Sequence, residues 1–424
     1  MRLIAAEVSF RTAPLEVRER VALADPEARQ LLRFLVGHGG LSGAVALSTC
    51  NRTELYASMP GSMSDEDAAS RLRRYLDPSA EAGAAAQVTV RRGERAVEHL
   101  FRVAAGLESM VVGEAQVLGQ VRAAHRLALE AGCVDAPLDF IFRRATATGR
   151  RVRRETAIGR GTGSLSEAAV ALAGEVLGGV QGRTVLLIGA GKMSTLAGRQ
   201  LQGRGAHLRV SSRGGESAAA LAGDLGATVV TSADLAAAVV DCDLVITSTD
   251  SPEPVLNLAT LAEVQRRRGE RSLCIVDMAV PRDVPPEVGR LPGVTLLDVD
   301  DIGRHLAGSL EGRSDAVTAA AAVVAEEARI AIETVELRGA ADPTIRALVS
   351  RAEEIRAREV ARTLARLPEA DPPTRERIER LSQSLVRKLL HAPIVHLREA
   401  RGDPGTALRL REAFGLDDAP ADDP

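Results

Sequence analysis

Cys50 stands in VALSTCNRTELY, where an apolar run stops at Ser48 and Thr49, Cys50, Asn51 and Arg52 form a polar turn. A thiol at a strand end, two residues from a guanidinium, suits attack on an acyl carbon. Nearby positive charge favours the thiolate, whose ordinary pKa is about 8.5. A free cysteine is also at home as a small buried hydrophobe, and the residues alone leave both readings open. Cys133, Cys242 and Cys274 fit the second; Cys274 lies in the apolar run LCIVDM. There is no CxxC pair, and His38, His125, His207, His305, His391 and His396 make no ligand pattern, so no metal site is expected.

A second group of residues could hold a dinucleotide. TVLLIGAGKMS sets Gly189, Ala190, Gly191, Lys192, Met193 and Ser194 between a strand-like run and a helix-like run. At this spacing Gly189 permits the tight turn and Gly191 lets the backbone approach a pyrophosphate. A small residue at 194 lets helix and strand pack, and the helix N-terminus stabilises the anion. The next strand ends in Ser211, Ser212 and Arg213, with no acid to hold a ribose 2′-hydroxyl. Two hydroxyls and a guanidinium suit a 2′-phosphate, so NADPH is the expected cofactor.

The elements that must carry these groups fall into three segments. Residues 1–160 mix strand-like runs (2–10, 44–48, 87–91) with helical ones (26–37, 65–76, 94–106, 114–131, 136–155), an α+β pattern. Residues 161–310 alternate strands at 184–188, 208–211, 244–248, 274–278 and 294–297 with helices, as in a Rossmann-type doubly wound sheet. Residues 311–424 are helical: a run of about seven turns from Ser314, then amphipathic stretches at 344–367 and 374–391, each entered after a proline. So long a helix leaves an apolar stripe that needs a cover, which points to pairing of two copies. The acidic, proline-rich end DDAPADDP is expected to be disordered. The whole is α/β and multidomain.

Composition narrows the class. Hydrophobic residues at 45% and charged residues at 26% describe a globular chain, with aromatics at 2% leaving the cores to Leu, Val, Ile and Ala. No stretch approaches the ~18 uncharged apolar residues of a membrane span, and MRLIAAEVSF is too short in its apolar part for a secretory signal, so a cytoplasmic protein is expected. Lysine occurs only at 192 and 388; the other basic side chains are arginines. Residues 1–160 hold 23 basic against 19 acidic side chains. Within that part Arg143, Arg144, Arg150, Arg151, Arg153, Arg154 and Arg160 face the single acid Glu155. The run suits an RNA backbone, though a solvated helix face explains such a run as well.

STCNRTELY, EHLFRVAAGLESMVVGEAQVLGQVRAA and DMAVPRDVPPEV, in this order, resemble the signatures of the glutamyl-tRNA reductase family, as do VSFRTAPLEVRER, RRVRRETAIG and GAGKMS. The resemblance spans residues 3–345 and implies a reaction. Cys50 would attack the ester of glutamyl-tRNA(Glu), and NADPH would reduce the thioester to glutamate-1-semialdehyde, the first step of tetrapyrrole synthesis. Carried over by motif, Thr49, Asn51 and Arg52 would line the glutamyl pocket, with Arg52 taking the substrate carboxylate. Ser109, Glu114, Ala115, Gln116 and Gln120 match a second substrate-contact region, where Glu114 could hold the α-ammonium. His99 matches a histidine tied to activity, although a histidine beside Leu100 and Phe101 is as well read as a core residue. The resemblance also implies a homodimer through the C-terminal helices and glutamate-1-semialdehyde aminomutase as a partner, with no role for DNA or membrane. Phe10 replaces the family's usual histidine. Two other functions remain: a shikimate-dehydrogenase-like enzyme of a free small substrate, indifferent to loss of Cys50, and a non-enzymatic NADPH- or tRNA-binding protein.

Overall fold

The computed structural model describes residues 2–76, 88–159, 164–269, 271–307, 314–400 and 403–417. Arg160 and all of the acidic end except Asp417 lie outside them. The chain forms two compact units, residues 2–328 and 329–424.

The first unit opens with β1 (Leu3–Ser9), α1 (Leu15–Val21), α2 (Asp25–Gly37), β2 (Gly43–Thr49), β3 (Arg52–Ser58), α3 (Asp65–Leu76), β4 (Thr89–Arg92), α4 (Glu94–Ala104), α5 (Gln116–Glu130) and α6 (Ala136–Glu155). The four strands pair antiparallel in the order β2-β3-β1-β4. β3 is absent from the strands expected. Arg52 and Glu54 break its apolar alternation, yet all seven of its residues are buried, because the strand is central and covered on both faces. The register sets Glu7 of β1 directly opposite Glu54 of β3. Like charges in that position are destabilising, so the sheet demands compensating cations.

Next come α7 (Leu165–Leu177), β5 (Thr184–Ile188), α8 (Lys192–Gly203), β6 (His207–Ser211), α9 (Gly215–Leu225), β7 (Thr228–Val229), α10 (Leu235–Val240), β8 (Leu244–Thr247), α11 (Leu258–Arg267), β9 (Leu273–Asp277), β10 (Val294–Leu297) and α12 (Val299–Ala307). The six strands are parallel in the order β10-β9-β8-β5-β6-β7, with the reversal of strand order between β5 and β8. That is the doubly wound arrangement, and its ligand crevice lies at the carboxyl ends of those two strands. Apolar clusters cover both faces of the sheet. Ser164 starts α7 with a capping box: its hydroxyl accepts from Glu167 N at 3.1 Å and its N–H donates to Glu167 at 3.0 Å, worth about 1 kcal/mol.

Beyond lie α13 (Ser314–Ala365), α14 (Pro372–Glu399) and α15 (Pro404–Ala413). Here expectation needs correcting. Pro343 does not start a new helix; it sits inside the 52 residues of α13, and Pro393 sits inside α14. An interior proline removes one rung of the backbone ladder and bends a helix. Val335 and Leu348 are buried on either side of Pro343, and that packing outweighs the lost rung. In the second unit Leu381, Leu385 and Leu389 form a row on α14 that is 62%, 51% and 73% exposed. They edge a groove shared with Leu348, Ile355 and Phe414. Among the described residues no helix is long and apolar enough to cross a membrane.

Candidate active site

Thr49 and Arg52 are the last paired residues of a β-hairpin, so Cys50 and Asn51 are its two-residue tip. Such tight tips suit residues like asparagine that tolerate unusual backbone angles. The tip is held from several sides. Phe10 N donates to Asn51 O at 2.9 Å, Asn51 N to Thr49 Oγ1 at 3.2 Å, and Arg18 Nη1 to Cys50 O at 2.9 Å. Cys50 is half-buried, whereas the other three cysteines are buried.

The expected thiolate-favouring field is not what the fold provides. Burial and the Glu114 carboxylate push the Cys50 thiol up to about 12, against the smaller pull of Arg18 and Arg52. The reason is visible in Arg52. It is 3% exposed, donates to Glu54 at 2.7 Å and also donates to the Glu108 carbonyl. Its charge is spent largely on the sheet beneath the turn.

That sheet holds a buried ionic network. His99 Nε2 lies 3.1 Å from Glu54 and 3.2 Å from Glu7. Tyr56 donates to Glu54, and Arg91 pairs with Glu7. Burial alone would raise Glu54, but His99 and Arg52 hold its carboxyl well below the usual carboxylate range. Glu7, Glu54 and His99 lie close enough together to bind a cation. The guanidinium groups of Arg52 and Arg91 already occupy the carboxylate faces, however, and their charge opposes one. His99 is thus packed in the core of the sheet–helix layer, linked to the turn through Glu54 and Arg52.

The second contact region splits in two. Ser109 is buried in the segment between α4 and α5. Glu114, raised by burial against the opposing charge of Lys192, lies close enough to act on the Cys50 thiol. Ala115 is the N-cap of α5. Gln116 and Gln120 instead face the crevice of the parallel sheet, and Gln116 Nε2 donates to Met193 Sδ at 3.2 Å.

That crevice has a volume of about 1020 Å³ and is lined by Gly189, Ala190, Gly191, Lys192, Met193, Ser211, Ser212 and Arg213, with Ser248 to Ser251 on the opposite wall. Gly189 has φ +105°, and a Cβ there would lie 2.6 Å from the Ser248 carbonyl oxygen. Gly191 is the N-cap of α8, and a Cβ on it would meet nothing within 4 Å. The open space lies where a pyrophosphate would approach the helix N-terminus. Ser194 is fully buried with its hydroxyl 2.7 Å from that of Ser248. Close helix packing rests also on Gly198, where a Cβ would come within 2.5 Å of Leu225; the extra glycine four residues on was the sequence signal. Arg213 pairs with Asp250 at 2.9 Å, both exposed. The lining fits a dinucleotide.

Cys50 and Phe10 pack against the same apolar cluster as Ala190, Met193 and Val280. The Cys50 turn and the glycine turn belong to one compact unit. A profile for the N-terminal domain of glutamyl-tRNAGlu reductase matches residues 7–156, and one for its dimerisation domain matches 319–416. Between them a shikimate / quinate 5-dehydrogenase profile matches 171–305. Glutamyl-tRNA reductase of Sorangium cellulosum is 40% identical over 99% of this chain and 83% of its own length; that of Rubrobacter xylanophilus is 40% identical over 97% and 96%. The chain belongs to the glutamyl-tRNA reductase family. The solved glutamyl-tRNA reductase from Methanopyrus kandleri is 32% identical, covering 98% of this chain and 99% of that one, at a TM-score of 0.49. The arginine run is less free than its sequence suggests: Arg151 pairs with Glu155, Glu326 and Glu327, Arg144 with Glu327, and Arg143 with Asp139.

Proposed function

We propose that this chain reduces glutamyl-tRNA(Glu) to glutamate-1-semialdehyde with NADPH, releasing the tRNA, as the entry step of tetrapyrrole synthesis. One observation carries it: the half-buried Cys50 at a hairpin tip packs against the same apolar cluster as Ala190 and Met193 of the glycine turn, within a single compact unit. A free-substrate dehydrogenase has no use for that thiol.

The Cys50 sulfur bonds to the glutamyl carbonyl carbon, the ester C–O bond breaks, and the tRNA 3′-oxygen leaves with a proton. The covalent intermediate divides one difficult step into two. Thr49 and Asn51 fix the tip, and Arg52, anchored by Glu54, stands beside it to orient the substrate carboxylate. Glu114 takes the α-ammonium. Burial is the main cause of the raised thiol pKa, and pairing Glu114 with that cation offsets the charge that adds to it, so substrate binding shifts the thiol toward the thiolate. Residues 189–194 would hold the cofactor pyrophosphate, and Ser212 and Arg213 would take the 2′-phosphate. When bound, NADPH would supply a hydride to the thioester carbon; the C–S bond breaks there and Cys50 departs as the thiolate, leaving the aldehyde.

The exposed leucine row on α14 supports a homodimer through the C-terminal helices, with residues 1–160, 161–310 and 311–424 as catalytic, nucleotide and pairing domains in the cytoplasm. The product aldehyde is labile, which favours direct transfer to an aminomutase. To test the reaction, purified protein is mixed with glutamyl-tRNA. Without NADPH, mass spectrometry finds a glutamyl adduct on Cys50 or released glutamate; with NADPH, semialdehyde forms. Oxidation of NADPH by a free small substrate, with glutamyl-tRNA untouched, would sink the proposal.

A further inference from the structure

Helix α1 has seven residues, and three of them reach the parallel-sheet portion of the first unit. Arg18 is 2% exposed. Its Nη1 donates to the Cys50 carbonyl at 2.9 Å, while its Nη2 pairs with Asp300 at the start of α12. The next residue, Glu19, receives Arg282 through the backbone N–H at 2.7 Å, Nε at 2.9 Å and Nη2 at 2.7 Å. Glu16 takes the remaining nitrogen at 3.2 Å. Arg282 adjoins Asp283, which accepts from Thr249 N at 2.9 Å in the crevice wall. Sequence position gives no hint of this, since Arg18 and Asp300 are 282 residues apart.

We propose that Arg18 is a positioning residue for the reductase reaction, one guanidinium that ties the carbonyl of Cys50 to helix α12 of the parallel-sheet portion. This rests on the function proposed above and adds to it a device for holding the acyl group where hydride can reach it. A planar fork can bond two acceptors in fixed directions at once; an ammonium is a single point charge and holds no such geometry. Breaking either end leaves the hairpin tip free to drift, and drift of about 1 Å costs up to two orders of magnitude in such transfers. The groups acting on the thiol are Glu114, which opposes the thiolate, and Arg18 and Arg52, which favour it.

The variants are Arg18→Gln, Arg18→Lys and Asp300→Asn, with two readouts. One is the pH dependence of Cys50 alkylation by iodoacetamide in the full chain. The other is the partition of glutamyl-tRNA between free glutamate and semialdehyde at saturating NADPH. Arg18→Gln moves the alkylation curve to higher pH and raises the glutamate share about tenfold. Asp300→Asn raises the glutamate share in the same direction but leaves the alkylation curve in place, because the guanidinium stays beside the thiol. Arg18→Lys restores the alkylation curve and not the partition. If Arg18→Gln does not fold, Asp300→Asn carries the test. An unchanged partition in Asp300→Asn, with only a lower melting temperature, overturns the positioning role. A wild-type protein inert toward glutamyl-tRNA refutes the proposed function instead, while the alkylation curves still report on Arg18.

Discussion

The hairpin tip and the glycine turn are built by opposite means. The glycine turn is made by leaving side chains out: Gly189 adopts a positive φ against a carbonyl oxygen, and Gly191 leaves room above a helix N-terminus. The hairpin tip is made by putting charges in. Beneath Cys50 lie Arg52, Glu54, Glu7 and His99, all buried and mutually paired. A backbone site tolerates its surroundings as long as nothing fills it. A buried ionic site depends on every partner, since an uncompensated buried charge is costly. Cofactor binding and acyl transfer should therefore fail separately.

The largest separation comes from Cys50→Ser. Semialdehyde formation falls by about three orders of magnitude or more, while NADPH affinity, read by fluorescence titration, stays at the wild-type value. Next is Glu54→Gln, which leaves Arg52 without its paired anion and His99 with Glu7 alone. About 3 kcal/mol of stability is lost in urea unfolding; a loss under about 0.5 kcal/mol would mean the network is not what holds the hairpin. Gly189→Val forces a Cβ onto the Ser248 carbonyl at an unfavourable φ. The Kd for NADPH rises at least about tenfold, yet cofactor-independent release of tRNA persists. Arg213→Ala raises the KM for NADPH about tenfold and that for NADH less than about twofold. Equal effects on both would remove the 2′-phosphate role. The smallest effect sharpens the electrostatics: Glu114→Gln removes a carboxylate that opposes the thiolate, lowers the thiol pKa, and speeds iodoacetamide alkylation at pH 8 about threefold. Slower alkylation would reverse the sign assigned to Glu114.

The same contrast decides what could be read from the sequence. The glycine turn was legible because its chemistry is contiguous: strand, Gly189, Gly191, Ser194 and helix within eleven residues of one another. Cys50 was legible as a turn residue, but its protonation was not, because Glu114 and burial arrive from elsewhere. β3 hid behind Arg52 and Glu54, whose charges read as surface while the fold pairs them inside. β7 is a two-residue edge strand, too short for any alternation to show. Pro343 read as a helix start because local rules make proline a breaker, and tertiary packing overrode them. Gln116 and Gln120 came with the substrate motif, yet they line the nucleotide crevice, since the start of their helix meets Met193 of the glycine turn.

Lys192 deserves a last use. It is exposed at the mouth of the crevice, and the chain has one other lysine, Lys388, on the C-terminal helices. An amine-directed label therefore has two side chains to react with, one in each compact unit. Bound dinucleotide shields the first and leaves the second as an internal standard, so the ratio of the two labelled peptides measures cofactor occupancy without any turnover.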